Sequence, residues 1–149
     1  MTASIGNLAT EKVVQRISSA SGSLSEVQIR RQNVPADLSE RSEVVRYPAL
    51  LVYCEKIVNS LEEKFRTFSG AVHMTIEVRE SGDRLERLEE RLEATADAVT
   101  QMLSASRGDW GDGMFYSGGY QVAFGAAKQG GRNFLQIAKV TFEIGASIN

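Results

Sequence analysis

The last third of the chain, GDWGDGMFYSGGYQVAFGAAKQGGRNFLQIAKVTFEIGASIN, alternates apolar and polar residues and breaks the alternation with glycine. From Tyr120 the apolar positions fall at Val122, Phe124 and Ala126, and they recur at Val140, Phe142, Ile144, Ala146 and Ile148. Gln121, Lys139, Thr141, Glu143 and Ser147 occupy the other face. Successive side chains of a strand point to opposite faces, so this period of two specifies strands with one face buried and one wetted.

Upstream, the same test separates helices from strands. Ile5, Ala9, Val13 and Ile17 recur every four residues, flanked by Leu8 and Val14, which predicts a first helix over 3–20. It ends in the Ser18–Ser25 cluster, where hydroxyls compete for backbone hydrogen bonds. Val27 to Arg31 reads as a short strand, and Pro35 with the polar run Ala36–Glu43 reads as a loop. YPALLVYC, Tyr47 to Cys54, is apolar on both faces and predicts a central strand with proline at its start.

Ile57, Leu61, Phe65 and Phe68 fit a helical stripe over 56–69, although the same stretch could be a long extended arm between two strands. The helix is the reading adopted. Val72, Met74, Ile76 and Val78 then alternate with His73, Thr75, Glu77 and Arg79 as a strand. Ser81, Gly82 and Asp83 are expected to open a long helix with the stripe Leu85, Leu88, Leu92, Ala96, Val99 and Leu103, closed by Gly108. The expected fold is therefore α+β: a mostly antiparallel sheet packed against one long and one or two shorter helices.

At 149 residues, with 42% hydrophobic and 24% charged residues, the chain is expected to form one domain with a substantial core. An N-terminal part, 1–46, would contribute a helix, a strand and a loop, and 47–149 the α+β core. A net charge of −2 argues against gripping nucleic acid through a basic face. A single cysteine excludes an internal disulfide and suits a reducing compartment. No apolar run is long enough to span a membrane, and the first residues do not read as a signal peptide. The expectation is a soluble protein made in a cytoplasm.

No residue set announces catalysis. His73 is the sole histidine and lies on the polar face of a strand, where a metal ligand or a base would lack partners. Cys54 sits inside an apolar strand, which suits a small core residue better than a thiolate. Gly125 to Arg132, GAAKQGGR, echoes a phosphate loop, but Gly131 stands where the lysine is needed and no helix follows. Asp109 and Asp112 lack the alternating ligand series of a calcium loop. The expectation is a protein that is not an enzyme and that carries no catalytic, cofactor or metal site.

Trp110, Met114, Phe115 and Tyr116 stand among glycines, where bulky apolar groups are costly to expose. Either they fold back as a lid on the core, or they anchor a partner, since such residues are enriched at interface centres. Trp110, with few local apolar partners, is assigned to the second role. Phe65 and Phe68 join Trp110, Met114, Phe115 and Tyr116 as candidate subunit or partner contacts.

The order YPALLVYCE, SGAVHMTIEVRES, DRLERLEERLEATADAVTQML and SGGYQVAFGAAKQGGRNFLQIAKVTFEI resembles tailed-phage neck proteins, specifically the tail terminator (tail completion) family. The resemblance covers Tyr47 to Ile148 and is one of layout. It implies a virion structural protein that caps the tail tube as a homo-oligomeric ring, usually six-fold. It further implies a docking surface for the head-side connector, with the tail sheath as a further candidate neighbour. DNA would pass through the lumen without specific binding. Two alternatives stand beside it: a head-completion or connector protein of the neck, and a small cytoplasmic ligand-binding or enzymatic α+β domain.

Overall fold

The computed structural model describes residues 4–20, 24, 27–31, 47–130 and 132–149. Helix α1 (Ile5–Ser19) opens on Ser4, whose hydroxyl accepts the Asn7 amide at 3.2 Å and so satisfies one donor of the first turn. It buries Ala9, Val13, Val14 and Ile17, the stripe expected from the spacing.

Strand β1 (Gln28–Arg30) runs parallel to the start of β2 (Ala49–Asn59), which follows a cis Tyr47–Pro48 bond. Strand β3 (Phe68–Gly82) returns antiparallel to β2 and leads into α2 (Leu85–Ala105). A small hairpin, β4 (Gly108–Gly111) and β5 (Met114–Tyr116), follows, then the short β6 (Gln121–Phe124) and β7 (Lys128–Gly130). The chain closes on β8 (Asn133–Ile148), which pairs with β3 along its whole length. The other edge of β8 is shared in turn by β7, β6 and β5. The result is α+β: a curled, mostly antiparallel sheet with two helices among the described residues.

Register explains the core. Val72, Met74, Ile76 and Val78 lie opposite Ile144, Phe142, Val140 and Ala138, so two alternating strands present one apolar face together. That face, with Leu50 and Val52, packs against α1 and against Leu92, Ala96, Val99 and Leu103 of α2 in one cluster. Burying each such side chain contributes about 1.5–3 kcal/mol. The reverse face is also closed over β2 and β3, where Leu51, Tyr53, Thr75, Glu77 and Arg79 are buried.

Several expectations are corrected. No helix covers 56–69: β2 continues to Asn59, a turn follows, and β3 has begun by Phe68. The stretch is the extended arm, because Ile57 and Val58 keep their ladder to Val72 and Ala71. Ser81 and Gly82 do not cap α2; they end β3, paired with Leu135 and Phe134, and Arg84 stands at the N-cap with no side-chain hydrogen bond. Leu85 is half exposed, ahead of the buried stripe, and α2 ends at Ser106 while Gly108 starts β4. Tyr120, just before β6, and Phe124, at its end, are exposed where a buried face was expected. The loop expected over Ala36–Glu43, and much of the Ser18–Ser25 cluster, lie outside the described residues.

Candidate functional site

Two surfaces are built in ways that packing of this chain alone does not require. The first is the β2–β3 arm. A register shift between Cys54 and Lys56 leaves Glu55 as the extra residue of a bulge. Such bulges bend an edge strand away from its sheet. Past it, Lys56 to Asn59 still pair with His73 to Gly70, yet every residue from Glu55 to Asn59 is exposed. A Cβ on Gly70 would collide with the Val58 carbonyl, so glycine permits the close approach of the two strands.

Side chains order the tip of the arm. Asn59 Oδ1 accepts the Ser69 amide at 3.0 Å and the Leu61 amide at 3.3 Å, while its Nδ2 donates to the Thr67 carbonyl at 3.2 Å. Ser69 Oγ accepts the Glu63 amide at 3.0 Å. Arg66 meets Glu63 at 3.3 Å. Leu61 and Phe65 adopt positive φ, a conformation uncommon outside glycine and asparagine. Phe65 is 100% exposed, and Ile57, Val58 and Leu61, elsewhere on the arm, are exposed as well. A backbone held this closely presents its apolar side chains without further ordering on contact.

The second surface is a groove of about 770 Å³ between the C-terminal halves of α1 and α2. Its floor includes Trp110, Met102 and Leu24, and Lys12 and Arg16 stand at its rim. Trp110 is 6% exposed; its indole N–H donates to the Ser106 carbonyl at 2.7 Å, and its ring packs 5.6 Å from Tyr116. The Arg16 guanidinium lies 4.5 Å above the Trp110 ring, a favourable cation–π placement. Lys12 reaches across to Asp112 at 2.9 Å and donates to the Trp110 carbonyl at 2.9 Å, which ties α1 to the β4–β5 turn.

These positions sort the six sequence candidates. Trp110, Met114 and Tyr116 are buried in the core of this chain, so within it they pack as the lid reading expects, and Trp110 does not project as an exposed anchor. The reason is long-range: α1 and Phe142 supply the partners that the neighbouring sequence lacks. Burial pushes the Tyr116 hydroxyl up to about 12, and that hydroxyl donates to the Gly119 carbonyl. Phe115 is 52% exposed and lies across Gly145, while Phe68 packs partly against the core. Phe65 and Phe115 are the candidates that remain on the surface, and they are not brought together with the others.

The titratable groups engage one another. Tyr53 donates to Glu77 in a short hydrogen bond, and Arg79 holds the other Glu77 oxygen at 3.0 Å; all three are buried. Burial raises the Tyr53 hydroxyl. Such a cluster tolerates loss of a member poorly, because the remaining charge is stranded. His73 lies 3.4 Å from Glu143 on the adjacent strand. Cys54 is half-buried against α1, and burial pushes its thiol up, away from thiolate reactivity. Among the described residues, no group of three His, Cys, Asp or Glu could hold a metal ion.

Arg16, Met102, Glu62 and Asn59 were not singled out from the sequence. A cation on a helix and an asparagine before a turn are too common to signal a groove or a rigid tip. No protein-family model matches the chain, and no curated protein matches it.

Proposed function

We propose that this chain is a structural assembly subunit, the tail terminator of a tailed phage, which closes on the tail tube as a homo-oligomeric ring. The observation that carries the reading is the ordered arm with Phe65 at its tip, an apolar knob that packs on none of the described residues. Contiguous exposed apolar groups on a rigid element mark a partner surface. An arm at one place and a receptor at another make a heterologous contact, which generates rings when its rotation closes. The layout resemblance over Tyr47 to Ile148 supplies the rest of the reading. The ring, most simply six-fold, sits in the virion neck, meets the tube on one face and offers the other to the connector. A net charge of −2 suits a lumen that lets DNA pass unheld. In this reading the chain performs no catalysis.

Electron microscopy tests the reading at two levels. The purified chain, alone or with tube protein, is expected to form rings. Particles made without it are expected to show unjoined tails of irregular length. A strict monomer with tube protein present would contradict the proposal, and tails of normal length lacking heads would move the chain to the connector.

A further inference from the structure

We infer that the α1–α2 groove is the receptor for the arm of a second copy, with Phe65 as the inserted side chain and Glu62 facing Arg16. The inference rests on the ring reading above and names the contact that closes it.

Three observations converge on this pairing. The first is apolar complementarity. Phe65 is fully exposed and Leu61, elsewhere on the arm, is exposed as well, while the groove offers Met102, Leu24 and Ala98 around a Trp110 floor. Its volume of about 770 Å³ lies within the range, roughly 300–1,000 Å³, of pockets that enclose bulky guests. Methionine beside an aromatic guest adds a favourable sulfur contact.

The second is charge. Among the described residues no carboxylate lines the groove, whose lining includes Lys12 and Arg16. Lys12 is held by Asp112, whereas Arg16 stacks on Trp110 and meets no carboxylate among the described residues. On the arm, Glu63 is held by Arg66, and Glu62, one turn residue away from Leu61, has no ionic partner among the described residues. Among the described residues, one unmatched cation thus stands at the groove and one unmatched anion on the arm. A guanidinium already fixed over a ring loses little freedom when a carboxylate meets its open edge.

The third is geometry. The arm leaves the body beside the first turn of α1, where Gly6 lies against Cys54 and Ile57. The groove begins at Lys12 and runs towards Ala20. At 1.5 Å per residue these places are about 10–20 Å apart on α1, and the arm extends from the far one. Knob and hole sit at different places on the chain, as a head-to-tail contact requires.

Disulfide trapping tests the contact. In a Cys54→Ala background, which keeps Phe65, chains carrying both Lys64→Cys and Gln101→Cys should oxidise to a ladder of covalent oligomers, and neither single variant should pass a dimer. Independently, Arg16→Glu and Glu62→Arg should each raise the concentration needed for assembly at least tenfold, and the double exchange should restore it. The melting curve of Glu62→Arg, an exposed position, should match the parent, which separates lost contact from lost fold; Arg16→Glu also loses its stacking on Trp110 and is read against the double exchange. Trp110 is the only tryptophan, so its emission should shift on assembly and stay unchanged in Phe65→Ser. Rings that form without the ladder, and that ignore both charge reversals, would overturn the groove assignment while leaving the ring reading intact. A chain that stays monomeric at every concentration, with tube protein present, would overturn both.

Discussion

Strand β2 begins and ends in opposite surroundings. From Ala49 to Tyr53 every residue is buried, with α1 and the core on one face and a closed polar cluster on the other. From Glu55 to Asn59 every residue is exposed, although the ladder to β3 runs on with one bulge. Backbone pairing is therefore not what distinguishes the halves. The body is stabilised by what covers it, and the arm is held by pairing and by the Asn59 and Ser69 hydrogen bonds. The contrast teaches that the apolar residues of the body contribute to folding, whereas the exposed ones of the arm contribute little to it and are open to the assembly role proposed above.

Substitutions should break or sharpen that contrast in a definite order. The largest effect belongs to Leu92→Asp, at a fully buried position of α2. An unpaired carboxylate there costs several kcal/mol against a total stability of about 5–15 kcal/mol, so circular dichroism should find the chain unfolded or nearly so. Next comes Trp110→Ala, which removes a buried ring, its bond to Ser106 and the platform under Arg16. A loss of about 3–5 kcal/mol is expected, read as a lower midpoint in denaturant. The smallest effect on stability is that of Phe65→Ser, within about 0.5 kcal/mol of the parent, since a fully exposed side chain has no packing to lose. If Phe65→Ser lowered the monomer's midpoint as much as Trp110→Ala does, the division between body and arm would be wrong.

The body was legible in the sequence because there the apolar period and the buried face coincide. Val72 to Val78 alternate and face the helices, and Leu88, Leu92, Ala96, Val99 and Leu103 repeat at helical spacing and face the sheet. The arm was misread for the matching reason. Ile57, Leu61, Phe65 and Phe68 are spaced like one face of a helix, but three of them are exposed and share no buried face, so their spacing carries no helical information. The better signal was chemical: Asn59–Ser60 and Ser69–Gly70 bracket the tip with turn-forming residues. Trp110 was misplaced because its polar neighbours say nothing of Arg16, which lies far off in the chain and covers its ring. Phe115 was named for its place among glycines and Phe65 for its aromatic character, and the α1–α2 groove, assembled from distant parts of the chain, was not visible at all.

The most direct test of the account is amide hydrogen exchange, followed residue by residue in dilute and in assembled protein. Amides of Leu50 to Val52 and of Met74 to Val78 should exchange slowly in both states, through global unfolding. Amides of the tip from Lys64 to Arg66 should exchange fast in the dilute monomer, those of Leu61 to Glu63, held by Asn59 and Ser69, more slowly, and all should become more protected on assembly, together with slower exchange along the Lys12–Ala20 half of α1. Tip amides that remain equally fast in the assembled protein would contradict the claim that the arm is completed by a second copy.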